Sequence, residues 1–220
     1  MYSALITLLA ICLFIKGEYH IKLKNKIFRH NYSYLENVYY NQKMAAFNYR
    51  GSCDIVFVGD SLTDYFQWNE VFLTKKVCNR GIGGDISEGV LNRLSDVVKL
   101  SPSKIFIMIG TNDITHNVAN DVIENNIAEI LRKLHTDLDE TEIYIQSILP
   151  TGSAEKNRKI ITINKKIKRV CESINLCTYV DLYSDFVMNN EINPEYTLEG
   201  LHLNANGYEI WINKIKSFID

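Results

Sequence analysis

The length and the charge of the chain limit what it can be. Its 220 residues, 46% of them hydrophobic and 23% charged, suffice for one sizeable hydrophobic core and are too few to require two. A formal net charge of -2 provides no overall attraction for nucleic acid or an anionic membrane surface. We therefore expect a small-molecule or glycan partner and no nucleic acid.

The chain begins with an apolar segment, residues 1–16, followed by a basic linker and helix at residues 17–50 and the main domain at residues 51–220. The run ALITLLAICLFI at residues 4–15 is shorter than the roughly 20 residues of a membrane-spanning helix. It has the length of a signal-peptide core or a short anchor, but its basic residues follow it, which argues against an ordinary signal peptide. We expect a membrane-anchored or exported protein, associated with the membrane through residues 4–15, and keep a cytoplasmic protein as the alternative.

Strand and helix patterns alternate along the rest of the chain. Short, β-branched apolar runs predict buried strands, and apolar residues at intervals of three and four predict the helices between them. In chain order we predict a helix at 34–47, a strand at 55–58, a weaker strand at 75–81, a helix at 90–98, a strand at 104–110, a helix at 123–134, a strand at 142–148, a helix at 160–174, a strand at 178–183 and a helix at 205–219. This order predicts an α/β fold, a three-layer α/β/α sandwich around a five-stranded parallel sheet.

The five cysteines show no metal-binding pattern. They form neither a CxxC pair nor a cluster with histidine, and they are Cys12, Cys53, Cys78, Cys171 and Cys177. We therefore expect no zinc site and no other cofactor. Buried free thiols are the simplest interpretation of these residues.

The stretch DIVFVGDSLTD at residues 54–64 places a small hydroxyl directly after a buried strand. Open α/β sheets bind ligands at the carboxyl ends of their strands, so Ser61 is a candidate nucleophile, although a serine there is also a common helix N-cap. His202 is the candidate base, and Glu199 lies three residues before it. Glu199 would accept the Nδ1 proton of His202 and leave Nε2 to take the proton of Ser61. Asp181, at the end of the last strand, is the alternative orienting residue.

Donors for a developing oxyanion follow three of the predicted strands. They are the main-chain N–H groups of Ser61 and Gly84 and the side-chain amide of Asn112. A glycine lets a substrate approach the backbone closely, and an asparagine amide is a neutral, directed donor. The alternative is that Gly84 forms an ordinary turn and Asn112 an Asx-turn.

Four sequence blocks, in this order, resemble the SGNH or GDSL hydrolase superfamily. They are GDSLTD (59–64), NRGIGGD (79–85), IGTND (109–113) and EGLHLN (199–204), and the resemblance covers about residues 52–218. Within the superfamily the chain is similar to small bacterial acylhydrolases of the platelet-activating-factor acetylhydrolase and sialate O-acetylesterase type.

The resemblance implies a flavodoxin-like sandwich and assigns roles at the matching positions. Ser61 would be the nucleophile, His202 the base, and Gly84 and Asn112 oxyanion-hole donors. The sequence departs from the family at Glu199, where aspartate is usual. The implied activity is a serine esterase that hydrolyses short-chain acyl esters, O-acetyl groups foremost, on a carbohydrate.

Substrate contacts are predicted around the nucleophile, at Asp60, Tyr65, Trp68 and His116. Asp60 would also brace the turn, and the aromatic side chains could stack on a sugar ring or flank an acyl chain. No long insertion separates the sequence blocks, so we expect an open, shallow site. A lysophospholipid or another lipid ester is the alternative substrate, and acyl transfer to a sugar the alternative to hydrolysis.

Two further classes of protein remain open at this stage. One is a metal-dependent phosphoesterase that uses Asp60, Asp64, Asp85 and Asp113 as oxygen ligands. The other is a non-catalytic glycan-binding module, which the glutamate at position 199 would permit.

Overall fold

The computed structural model describes residues 33–49 and 51–219. The expectations for residues 1–16 lie outside this part of the chain. Five parallel strands form one sheet in the order β2-β1-β3-β4-β5, and these strands are β1 (Ile55–Gly59), β2 (Val77–Gly81), β3 (Lys104–Met108), β4 (Glu142–Gln146) and β5 (Cys177–Val180). The order is that of flavodoxin-like folds, so the predicted sheet and fold are confirmed.

Helices connect the strands and cover both faces of the sheet. They are α1 (Val38–Phe47), α2 (Ser61–Asp64), α3 (Trp68–Val71), α4 (Ser87–Asn92), α5 (Leu94–Val98), α6 (Thr111–Thr115), α7 (Asn120–Asp137), α8 (Ala154–Glu172), α9 (Tyr183–Phe186) and α10 (Ala205–Ile219). A small antiparallel hairpin, β6 (Val187–Met188) and β7 (Glu191–Ile192), was not predicted. In the two described ranges, no helix is both long and apolar enough to cross a membrane.

Each face of the sheet carries its own hydrophobic cluster, because successive residues of a strand point to opposite faces. Val56 and Ile105 pack on one face with residues of α4, α5, α7 and α8. Phe57 and Phe106 pack on the other face with residues of α3 and α10. The two clusters make the molecule a three-layer α/β/α sandwich.

The carboxyl ends of three adjacent strands, β2, β1 and β3, bring three of the sequence blocks together. Gly59, the last residue of β1, lies beside Gly81 of β2 on one side and Met108 of β3 on the other. The chain continues from these three positions into α2, into the loop at residues 82–85 and into α6. Ser61, the predicted nucleophile, and both other predicted oxyanion donors therefore follow neighbouring strands.

The expectation of free thiols is wrong for four of the five cysteines. Cys53 is paired with Cys78, and Cys171 with Cys177, with Cα–Cα distances of 5.8 and 5.3 Å. The first disulfide joins the chain just before β1 to β2, its neighbour at the edge of the sheet. Cys12 lies outside the described residues.

The helix predicted at 90–98 is divided into α4 and α5, which meet at Arg93. The side chain of Arg93 is buried and turns into the protein, where Nε donates to Asp85 at 2.8 Å and Nη2 to the carbonyl oxygen of Gly59 at 3.1 Å. The break in the helix thus accompanies a link between β1 and the loop after β2.

Candidate active site

Ser61 occupies the first position of α2, directly after β1. Asp60 is the N-cap of this single-turn helix, and its carboxylate accepts a hydrogen bond from the main-chain N–H of Leu62 at 3.0 Å. The turn is therefore braced by the residue before the nucleophile. Ser61 is only 7% exposed, so its hydroxyl lies in a protected position at the edge of the sheet.

His202 meets Ser61 from a position 141 residues further along the chain. Ser61 Oγ lies 3.0 Å from His202 Nε2, and Glu199 Oε1 lies within hydrogen-bond distance of His202 Nδ1. Glu199 Oε1 also accepts the main-chain N–H of His202 at 3.2 Å. A proton on Nδ1 that donates to Glu199 leaves the Nε2 lone pair for the hydroxyl of Ser61, which is the arrangement of a serine–histidine–carboxylate triad.

The surroundings of Glu199 favour the ionised carboxylate that this arrangement requires. Desolvation is the largest single effect and raises its pKa, but the hydrogen bonds that it accepts and the charge of His202 together outweigh desolvation and lower the pKa overall. Asp181, the alternative orienting residue, is engaged elsewhere. It accepts from the main-chain N–H and the hydroxyl of Ser184 at 3.2 and 2.6 Å, at the start of α9.

The loop at residues 82–85, which we call the oxyanion loop because it contains the predicted donor Gly84, lies against both β1 and Asn112. The main-chain N–H of Ile82 donates to the carbonyl oxygen of Gly59 at 3.0 Å. The side-chain amide of Asn112 donates to the carbonyl oxygen of Asp85 at 2.9 Å. A primary amide has two hydrogens, so this bond leaves one for a substrate.

Gly84 has a φ of +78°, in the left-handed region where side chains are disfavoured. Gly84 lies between Gly83 and Asp85, and the carbonyl oxygen of Asp85 accepts the hydrogen bond from Asn112. Ser61, Gly84 and Asn112 therefore come from three neighbouring strand ends, as predicted. Their joint action as oxyanion donors remains a prediction.

The predicted substrate residues have different environments. Tyr65 is 59% exposed, and its ring centroid lies 5.4 Å from that of His202. His116 follows α6, and its main-chain N–H donates to the carbonyl oxygen of Asn112 at 2.8 Å. Desolvation, and then the charge of Lys156, lower the pKa of His116. Both residues can still line the cleft.

Trp68 and Asp60 are corrections to the predicted substrate contacts. Trp68 has no exposed surface, because its ring stacks on Phe57 at 4.2 Å and its Nε1 donates to the carbonyl oxygen of Thr63 at 2.9 Å. Asp60 is also buried and acts through the Leu62 N–H. Burial raises the pKa of Asp60 to about 7. Both side chains support the nucleophile's turn from inside the protein.

The four aspartates considered as metal ligands each have their own partner. Asp60 caps α2, Asp64 pairs with Lys43, Asp85 with Arg93, and Asp113 with the hydroxyl and main-chain N–H of Ser87. Within residues 33–49 and 51–219, no three acidic, histidine or cysteine side chains form a group suited to a metal ion. These carboxylates hold the loops of the site in place.

Two parts of the site were missed by the sequence analysis. Arg93 links Asp85 to β1, and the helix α1 supplies Tyr39 and Lys43 to Asp64. These contacts join residues 8 to 34 positions apart, and no sequence motif indicates them. The available signal was the position of Arg93 in the sequence, three residues after Val90 and four before Val97, on the apolar face of the predicted helix.

The comparison with protein families agrees with this geometry. The model of the GDSL-like Lipase/Acylhydrolase family matches residues 57–210, more than half of the chain. The chain belongs to this family. Its members are carboxylic ester hydrolases, and so is this protein.

Individual relatives support the same assignment. The platelet-activating factor acetylhydrolase IB subunit alpha2 of Rattus norvegicus and that of Homo sapiens are each 28% identical over 167 residues, which cover 70% of this chain and 71% of the relative. A GDSL-like lipase from Bacteroides thetaiotaomicron is 27% identical, with a TM-score of 0.72 over 85% of this chain and 98% of its own. The acetyl xylan esterase AlAXEase, at 20% identity and a TM-score of 0.66 over 76% of this chain and 99% of its own, shares the fold.

Proposed function

We propose that this protein is a serine esterase that hydrolyses short-chain acyl esters, O-acetyl groups foremost, on a carbohydrate through an acyl-serine intermediate. The observation that carries the proposal is the hydrogen-bonded chain from Ser61 Oγ through the imidazole of His202 to Glu199. A nucleophile, a base and an orienting carboxylate are what acyl transfer requires.

In the first half of the reaction, His202 Nε2 takes the proton of Ser61 while Oγ bonds to the acyl carbon. The carbonyl oxygen becomes an oxyanion, which the N–H groups of Ser61, Gly84 and Asn112 stabilise. His202 then gives its proton to the departing alcohol, and the acyl group remains on Ser61. Water repeats these steps in the second half, with His202 as base, and releases the carboxylic acid.

Three observations support a short acyl group on a carbohydrate. The relatives at 28% identity are named acetylhydrolases, and an acetyl group needs no deep pocket. Tyr65 presents an exposed ring next to His202, where it can stack on a sugar. Among the described residues, the segments between the sequence blocks form the layers of the sandwich and one short hairpin, so no long lid covers the serine.

The alternative is a lysophospholipid or another lipid ester. The same relatives are named for platelet-activating factor, and the Bacteroides protein is called a lipase. An acyl-chain series from acetate to dodecanoate, run on purified protein beside an acetylated xylan and an acetylated sialic acid, separates the two. We expect the highest kcat/KM for acetate and release of acetate from at least one glycan. A rising preference for longer chains would favour the lipid ester.

The mechanism is tested by replacing the two reacting side chains. Ser61→Ala and His202→Ala should each lower p-nitrophenyl acetate hydrolysis by at least about 1,000-fold, because the two residues act as one unit. Melting temperatures should stay near that of the wild type. A fluorophosphonate should label the wild type and not Ser61→Ala, and a chelator should leave the rate unchanged. Chelator sensitivity with resistance to the fluorophosphonate would indicate a phosphoesterase instead.

We also propose that the protein works in an oxidising compartment, reached or bordered through the apolar residues 4–15. The pairs Cys53–Cys78 and Cys171–Cys177 support this, because stable disulfides are rare in the cytosol. Thiol trapping of protein taken directly from cells tests it: one modified cysteine in each full-length chain is expected. Five modified cysteines would indicate a cytoplasmic protein.

A further inference from the structure

Asp64 closes the one-turn helix that Ser61 opens, and its carboxylate is almost fully buried. Its side chain is 3% exposed. Oδ2 accepts hydrogen bonds from the hydroxyl of Tyr39 at 2.7 Å and from the main-chain N–H of Gly83 at 3.0 Å, and Oδ1 accepts from Lys43 Nζ at 2.5 Å. We call these four residues the Asp64 network.

The Asp64 network joins three parts of the chain. Tyr39 and Lys43 lie on α1, which is outside the residues 57–210 that match the family. Asp64 belongs to the nucleophile's turn. Gly83 belongs to the oxyanion loop and directly precedes Gly84. A helix outside the family match is thus connected, through one carboxylate, to the donor loop of the active site.

Contacts on both sides of Gly84 anchor the residues next to it. On one side, Gly83 is bonded to Asp64, and Gly81 packs so closely that a Cβ there would lie 2.3 Å from the main-chain nitrogen of Asp64. On the other side, Asp85 is held by the buried Arg93. Both chain neighbours of Gly84 are therefore anchored, Gly83 by Asp64 and Asp85 by Arg93.

The helix α1 is itself held against the domain. The hydroxyl of Tyr40 donates to the carbonyl oxygen of Gly89 at 3.2 Å, and the guanidinium of Arg80 lies 4.4 Å from the ring centroid of Phe47. Burial, and then the bond to Asp64, raise the pKa of Tyr39 to about 12, so its hydroxyl keeps the proton that it donates. The contacts of Tyr39, Tyr40 and Phe47 therefore attach α1 to the domain.

The positive charge of Lys43 also affects the electrostatics of the site, because it lies next to the carboxylate of Asp64. An unbalanced carboxylate beside the oxyanion loop would oppose the negative oxygen that forms there, and Lys43 neutralises it. We propose that Tyr39, Lys43 and Asp64 are positioning residues for the oxyanion hole, so that α1 is part of the machinery for ester hydrolysis. This inference depends on the acyl-serine mechanism proposed above.

The test compares kcat with KM in single variants. Lys43→Met, Tyr39→Phe and Asp64→Ala should lower kcat for p-nitrophenyl acetate by about 10-fold or more and change KM by less than about 3-fold, because the oxyanion contacts form only in the transition state. Asp64→Asn should lose less than Asp64→Ala, since its amide oxygen can still accept the N–H of Gly83. Affinity for an alkyl trifluoromethyl ketone, whose hemiketal adduct with Ser61 carries an oxyanion, should fall in proportion to kcat.

Two control variants match these changes away from the site. Lys166→Met breaks a surface pair with Glu124 whose atoms are also 2.5 Å apart, and Tyr49→Phe removes a hydroxyl from a 91% exposed tyrosine just after α1. Both should have wild-type kcat. If Asp64→Ala fails to fold, the kcat and ketone affinity of Tyr39→Phe and Lys43→Met still test the inference.

The outcomes separate this inference from the proposed function. A reactive wild type whose Tyr39 and Lys43 variants keep kcat and ketone affinity, even with lower melting temperatures, would overturn the inference alone. A wild type that reacts with neither esters nor a fluorophosphonate would overturn the inference and the proposed function together.

Discussion

Glu199 reaches His202 from a loop that is open to solvent, and it does so with one methylene more than the aspartate usual in the family. Gly200, with a φ of +86°, turns the chain directly after it, and the carbonyl oxygen of Gly200 accepts a hydrogen bond from Gly152 at 2.7 Å. This turn lets a longer carboxylate face Nδ1 from three residues upstream. At the scale of single residues, Glu199 can contact His202 Nδ1 from this loop although its side chain is one methylene longer than aspartate.

Glu199→Gln should therefore lower kcat by about 10- to 100-fold, less than the loss in Ser61→Ala, because an exposed site lets water replace part of the lost bond. Asp181→Asn is the matched control, with the same change from carboxylate to amide on a residue bonded to Ser184. It should keep the wild-type rate in the p-nitrophenyl acetate assay. If Glu199→Gln kept the wild-type kcat and Asp181→Asn lost most of it, Asp181 and not Glu199 would be the residue that orients His202.

Local sequence was sufficient for some residues of the site and insufficient for others. Ser61 could be predicted because a hydroxyl follows a buried strand, and Glu199 because it precedes His202 by three residues. Tyr65 and Trp68 carry the same local signal, an aromatic side chain after the nucleophile, yet Tyr65 points to solvent and Trp68 stacks on Phe57. Only packing distinguishes them, and packing depends on residues distant in sequence.

At the scale of elements, the buried strands were predictable to within a few residues because both faces of the sheet are covered. The predicted boundaries of strands and helices are wrong where a side chain forms a hydrogen bond that the hydrophobic pattern of the sequence does not indicate. The last strand ends at Val180 and not at 183, since the hydroxyl of Ser147 accepts the N–H groups of Leu182 and Tyr183 at 2.9 and 2.7 Å. Arg93 divides a predicted helix for the same kind of reason.

The two disulfides should differ in what they contribute to stability. Cys53–Cys78 spans 25 residues and Cys171–Cys177 spans 6. The chain-entropy relation gives about 3.5 kcal/mol for the first and about 2 kcal/mol for the second. The longer loop removes more freedom from the unfolded chain.

Each bridge can be measured alone by urea unfolding before and after reduction. A variant with alanine at Cys171 and Cys177 retains only the first bridge, and one with alanine at Cys53 and Cys78 only the second. The first variant should lose more stability on reduction than the second. Equal losses, or none in either variant, would contradict this ranking.

At the scale of the whole molecule, the small net charge does not reveal the electrostatics of the site. Three buried aspartates, Asp60, Asp85 and Asp113, lie close to it. Burial raises the pKa of Asp60 to about 7 and that of Asp113 to about 6, and it also raises the pKa of Asp85 despite the opposing charge of Arg93. The fold places these side chains under three converging loops, so their burial follows from the convergence of strand ends. Stability should depend on pH as a result.

The sign of that dependence follows from proton binding. Between pH 3.8, the ordinary pKa of an aspartate, and about 7, folded Asp60 binds more protons than the unfolded chain does, so the free energy of unfolding falls as pH rises through this window. Asp60→Asn keeps an oxygen for the N–H of Leu62 and removes the titration. Its free energy of unfolding should therefore decline less than that of the wild type between pH 4 and pH 8, by about 2 to 4 kcal/mol.

Urea unfolding at several pH values measures this difference, and exposed Asp121→Asn is the control for the change in charge, with the wild-type slope expected. Some slope should remain in Asp60→Asn, because Asp113 and Asp85 still titrate in the same direction. If the curves of the wild type and Asp60→Asn run parallel, Asp60 is ionised at neutral pH in the folded protein. The carboxylate before the nucleophile would then carry a charge that the fold must balance.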